Sequence, residues 1–171
     1  PYQVVMYYPT SDAIFRLDSD SLELGFFDFI VKSGRALVFP VLWGTYERNA
    51  GLDTTWPKNT REYSANVVKW IQDFRRTVDY LETRSDVDLD KLGFYGFSWG
   101  GWNGPIVMAL DDRVACAAPA CYLTTFRRLI ETIGPQDAEQ NIYGQLAFGM
   151  DQPDYVLMRA PKPTLISSTT E

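Results

Sequence analysis

Gly96-Phe-Ser-Trp-Gly100 stands between an apolar run, Lys91-Leu-Gly-Phe-Tyr-Gly-Phe97, and a stretch from 99 to 110 that carries no charge before Asp111. The run before it reads as a buried strand, and the stretch after it as a helix near 99–110. A serine between the two sits on a turn so tight that side chains two positions away on either side would collide. That accounts for Gly96 and Gly100, with Gly101 adding clearance. The Ser98 hydroxyl is then held out at the C-terminal end of the strand. A strand that feeds straight into a helix points to a layered α/β fold with a mostly parallel sheet and helices on both faces.

The rest of the chain repeats the alternation. Val4-Val-Met-Tyr-Tyr8 is strand-like and is ended by Pro9-Thr-Ser-Asp12. Residues 22–32 read as a helix stopped by Ser33-Gly34, and Ala36-Leu-Val-Phe-Pro40 as a short strand. A loop over 41–59 holds Trp43, Tyr46, Trp56 and Pro57 and is expected to form a surface cover or a pocket wall. Asn59 followed by Glu62 marks a helix start, after which Tyr63, Val67, Trp70, Ile71, Phe74, Val78 and Leu81 recur at helical spacing. The charges of that helix (Lys69, Asp73, Arg75, Arg76, Asp79, Glu82) form a solvated face. Asp86 to Asp90 reads as a turn, Asp111-Asp-Arg113 as another, and Val114–Ala118 as a strand. Residues 122–133 are expected to be helical, 134–160 mostly irregular, and Pro163–Ser168 a last strand.

Composition restricts the partners. At 171 residues the chain is one folding unit or part of one, and 46% hydrophobic residues supply a core. A net charge of −6, with Arg75-Arg76 and Arg127-Arg128 the only basic doublets, offers no face for nucleic acid. No apolar run approaches the about 20 residues of a membrane span, so a soluble protein is expected. Two cysteines, Cys116 and Cys121, are too few for a disulfide framework or a zinc site and read as small buried hydrophobes.

Ser98 is the candidate nucleophile. The N–H of Trp99, at the start of the following helix, is placed to donate to an oxyanion formed when Ser98 attacks a carbonyl. A second donor is expected from the loop after the first strand, from the N–H of Thr10 or Ser11. No Gly-x-Gly-x-x-Gly follows that strand and no P-loop occurs, which argues against a nucleotide fold. A serine needs a base, and the chain has no histidine. Lys91, at the far end of the strand from Ser98, is not a substitute. Glu171, just beyond the last strand, is a candidate acid, with the residue that would follow it as the alternative.

With the run from Lys91 to Gly101 in view, the chain resembles the α/β-hydrolases, within the broad group of acetyl xylan esterases, dienelactone hydrolases and prolyl oligopeptidases. Phe27–Ala36 and Tyr80–Arg84 are similar to hydrolase domains of bacterial multidomain proteins, some bearing a serine/threonine kinase-like region. The segment from Met108 through Ile133–Gln140 to Gly144–Gly149 resembles bacterial acetyl xylan esterase-like proteins. The resemblance implies a partial α/β-hydrolase fold, incomplete at both ends, with 119–160 a cap-like insertion over the active site, so that Trp102, Tyr122, Phe126, Phe148 and Met150 wall an acyl pocket or pack as core. It implies a serine esterase acting on an ester, by likeness an acetylated carbohydrate, without metal or organic cofactor; the sequence itself leaves localisation open, with the bacterial cytoplasm as the expectation. In that group the last strand leads into an aspartate and a later histidine, so this chain alone is expected to be inactive. Two alternatives stand beside it: a hydrolase fold kept as a non-catalytic binding or regulatory module, and a chain that self-associates or is completed by a second chain.

Overall fold

The computed structural model describes residues 1–18, 24–49, 60–121, 123–132 and 142–167. Four parallel strands, β1 (Tyr2–Tyr8), β2 (Ala36–Val38), β3 (Val87–Phe97) and β4 (Cys116–Ala120), lie in the order β2-β1-β3-β4. Residues 163–167 run parallel to β4 beyond its free edge, paired at Ala117–Thr164 and Ala120–Ser167. Their backbones are joined by Leu165 N–H to Ala117 O at 2.8 Å and Cys121 N–H to Ser167 O at 2.7 Å. The expected last strand is therefore in place, with its end at 168 outside the described residues.

Helices cover both faces. On one lie α2 (Arg61–Glu82), α3 (Trp99–Ala109) and α5 (Gln152–Leu157), and on the other α1 (Leu24–Lys32). Alternate residues of the strands divide accordingly: Val4, Met6 and Tyr8 of β1 join Leu92 and Phe94 of β3 under α2 and α3, while Tyr7 joins Phe27 and Ile30 of α1. The helical periodicity read for α2 is the observed one, since Tyr63, Val67, Trp70, Phe74, Val78 and Leu81 are all buried. Its cap is Thr60, whose hydroxyl accepts from Tyr63 N–H at 3.1 Å. Asn59, the expected cap, lies outside the described residues, as do Trp56 and Pro57.

Several expectations are corrected. The segment Val87–Asp90, read as a turn, is the first part of β3: Tyr2 pairs with Val87 and Gln3 with Asp88 before the register shifts between Gln3 and Val5. Its aspartates are tolerated there because Asp88 pairs with Lys91 at 2.7 Å on an open part of the strand. The strand expected at 114–118 is β4 at Cys116–Ala120. The helix expected over 122–133 is α4 (Phe126–Thr132), and 134–160, read as mostly irregular, also contains the short α5. The loop after β2 is not a surface cover over 41–49, since Leu42, Thr45 and Tyr46 are buried. Asp73 of α2 is not simply solvated: its carboxylate accepts from Trp43 N–H and from Arg48, each at 2.7 Å, and so ties that loop to α2.

The cysteines are free, as expected, but not buried: Cys116 is exposed and Cys121 half-buried. Cys116 lines an apolar groove of about 790 Å³ between Phe29 and Ile30 of α1 and Pro163 and Leu165. Alternation within β4 turns Cys116 away from α3, and α1 does not extend over it.

Below the sheet, Arg113 joins α2 to the turn after α3. It grips the buried Asp111 with Nε at 2.8 Å and Nη2 at 2.6 Å, and reaches Asp79 at 2.8 Å and Glu82 at 3.1 Å. Burial alone would raise the Asp111 carboxyl pKa, but hydrogen bonds from Arg113 outweigh it and hold the value below the usual carboxylate range. A carboxylate with a depressed folded pKa stabilises above its unfolded value of about 3.9 and loses that contribution as pH falls through the folded value. Asp111→Ala is expected to cost about 3 kcal/mol at neutral pH. Thermal melting across acid pH checks this: the difference between wild type and variant should persist down to about pH 5 and shrink below about pH 4.

Candidate active site

Ser98 is the residue between β3 and α3, and its backbone is strained, with φ 56° and ψ −111°. A non-glycine residue holds such angles only when its surroundings over-determine them. Here they do. A Cβ on Gly96 would overlap the carbonyl of Gly100, a Cβ on Gly100 would overlap the carbonyl of Tyr8, and a Cβ on Gly101 would overlap the carbonyl of Ala120. The first turn of α3 thus lies directly on the ends of β1 and β4. Gly101 does more than add clearance, because it is pressed against β4 as closely as Gly100 is against β1.

Backbone hydrogen bonds close the turn. Ser98 N–H donates to Ala120 O at 3.0 Å, and Trp102 N–H donates to Ser98 O at 3.0 Å. The Ser98 side chain makes no capping bond to α3 and is partly exposed. Trp99 anchors the helix start, its indole buried at edge-on contacts of 5.1 Å to Tyr8 and 4.8 Å to Trp70. Its N–H belongs to the first turn of α3, where backbone donors have no intrahelical acceptor. A helix start next to a serine hydroxyl favours negative charge on an attacked carbonyl oxygen.

Thr10 and Ser11 follow the point where β1 touches α3, since the same hypothetical Cβ on Gly100 also approaches Pro9 O. Thr10 caps a short 3₁₀ turn over Ser11–Ile14, its hydroxyl accepting from Asp12 N–H at 3.3 Å. The structure therefore brings Ser98, Trp99 and the Thr10–Ser11 loop to one end of the sheet. Lys91 is exposed and bound to Asp88, whose hydrogen bond pushes the ammonium pKa up, the wrong direction for a base. Glu171 and Tyr122 lie outside the described residues.

Of the expected pocket residues, Trp102 and Phe126 are fully buried and meet edge-on at 6.1 Å, so they pack as core behind the serine. Met150 is half-buried against that core, and Phe148 is 86% exposed. Asp151 and Gln152, not among the expected site residues, bond to the backbone of the segment leaving β4. The run Asp151-Gln-Pro-Asp154 carries a readable signal, an acidic cap with an acidic residue three positions on and proline in the first turn.

No family profile matches the chain. A protein of Bacillus subtilis (strain 168) named "Putative hydrolase YtaP" is 37% identical over 62 residues, or 36% of this chain and 21% of that protein. A protein from Bacteroides fragilis NCTC 9343, titled a putative acetyl xylan esterase, superposes with a TM-score of 0.74 at 14% identity, covering 97% of this chain and 51% of that one. Methylesterase BT1017 superposes with a TM-score of 0.71 at 22% identity over 98% of this chain and 36% of that one. A CE15 glucuronoyl esterase from Teredinibacter turnerae T7901 gives 0.56 at 16% identity over 97% and 48%. The chain spans 51% or less of each of these four proteins. Its parallel sheet, its helices on both faces and the serine turn at the end of β3, together with these superpositions, show that the chain carries part of the α/β-hydrolase fold.

Proposed function

We propose that the chain is the nucleophile-bearing portion of a serine esterase, with Ser98 as the acyl acceptor. The observation that carries this reading is the strained backbone of Ser98 at the junction of β3 and α3, which costs stability while the side chain makes no capping bond to α3. In the reaction, Ser98 Oγ bonds to the ester carbonyl carbon while its proton passes to a base. The Trp99 N–H and a donor from Thr10 or Ser11 bind the oxyanion. Collapse breaks the bond to the alcohol oxygen, which takes the proton from the base and leaves. Water, deprotonated by the same base, then releases the carboxylic acid and restores Ser98.

The base is a histidine supplied from outside these 171 residues, in the same polypeptide or a second chain. The acid is Glu171 or the residue that follows it. Esters of carbohydrates are the favoured substrate class, supported by the names of the superposed acetyl xylan, methyl and glucuronoyl esterases. The absence of histidine also favours a second reading, a hydrolase fold retained for binding, in which Ser98 has no chemical role.

Exogenous imidazole can stand in for the missing base, which makes the chain itself testable. Intact-mass analysis after exposure to a fluorophosphonate should show a single adduct on Ser98, formed at least about tenfold faster with imidazole than without and absent from Ser98→Ala. A folded chain left unlabelled under both conditions supports the binding module instead. The open apolar groove beside Cys116 gives a separate expectation, that the chain associates in solution. Light scattering that finds only a stable monomer at micromolar concentration contradicts it.

A further inference from the structure

The segment that leaves β4 begins beside the nucleophile, because Ala120 O accepts the Ser98 N–H. Three of its backbone amides are held by two residues that follow far later in the sequence. Asp151 Oδ1 accepts from Phe126 N–H at 2.8 Å while capping its own helix through Gln152 N–H at 2.7 Å. Asp151 Oδ2 accepts from Arg127 N–H at 3.3 Å. Gln152 Oε1 accepts from Thr124 N–H at 3.1 Å, and Gln152 is 2% exposed.

One carboxylate therefore caps α4 and α5 together, and it is itself fixed by Asp154, which accepts the Asp151 N–H at 2.7 Å. The held segment carries Phe126, seated edge-on against Trp102 in the first turns of α3. Trp102 in turn bonds through its N–H to Ser98 O. A continuous set of hydrogen bonds and ring contacts thus runs from Asp151 and Gln152 to the serine turn.

We propose that Asp151 and Gln152 are positioning residues that hold 123–127 against α3 and so set the width of the site on the β4 side of Ser98. The proposal rests on Ser98 being the acyl acceptor. Its consequence is selectivity by size: a held wall excludes bulky acyl groups, and a released wall admits them.

The test compares two fluorophosphonates, one with a methyl group and one with a long alkyl chain, as labels of Ser98 in the presence of imidazole. The readout is the ratio of their rate constants, which loss of folded protein does not move because both labels sample the same population. Asp151→Ala should shift that ratio toward the long probe by on the order of tenfold. Asp151→Asn keeps an Oδ1 acceptor for Phe126 and Gln152 and should return the ratio close to wild type. Gln152→Met, which releases only Thr124, should shift it in the same direction as Asp151→Ala and serves where that variant does not fold. Unchanged ratios in Asp151→Ala or Gln152→Met, with Ser98 still labelled, overturn the positioning role alone. Absence of labelling in the folded wild type overturns it together with the esterase reading.

Discussion

The contact of the first turn of α3 with the ends of β1 and β4 governs how this molecule is arranged. Three glycines allow backbone to meet backbone: Gly96 against Gly100, Gly100 against Tyr8 and Gly101 against Ala120. Any side chain at these positions would lift the helix from the sheet. With the helix down, the chain must reverse within one residue, and Ser98 takes the unfavourable backbone angles. The aromatic cluster of Tyr8, Trp70 and Trp99 packs around the same turn and supplies the burial that offsets this strain. A costly backbone geometry, a hydroxyl without a capping role and a helix start next to it are the arrangement that nucleophilic attack on a carbonyl requires.

The remainder of the fold supports that point from two sides. The face under α2 and α3 is closed by a continuous core, and the Arg113 cluster fixes the far ends of those helices relative to β4. On the face under α1, Tyr7, Phe27 and Ile30 pack together with Tyr95 beside them, and an apolar groove lined by Val5, Gly93 and Cys116 opens next to that cluster.

Much of this was legible in the residues. The elbow and its glycines announce themselves because a strand, a tight turn and a helix each carry a local signal that agrees with its neighbours. The apolar stripe of α2 was equally plain, because one buried face imposes a helical period on seven residues. The beginning of β3 was not, since Asp86, Asp88 and Asp90 are turn formers and only pairing with Tyr2 and Gln3 makes the segment extended. The exposure of Cys116 depends on what covers the sheet, which β4 does not encode. Asp151 was passed over although its capping pattern is readable, because its second role, on α4, joins residues 24 to 25 positions apart. No candidate base was legible because the chain has no histidine, and Glu171, the candidate acid, lies outside the described residues.

A crystal structure of the Ser98 phosphonate adduct tests the central claim most directly, because the phosphonyl oxygen stands where the oxyanion of an attacked ester would be. The expected structure has that oxygen within about 3 Å of the Trp99 N–H and of a second N–H from Thr10 or Ser11, with the Ser98 backbone unchanged. An adduct whose oxygen points to solvent, or a serine turn that relaxes to ordinary angles on modification, would contradict a site built for acyl transfer.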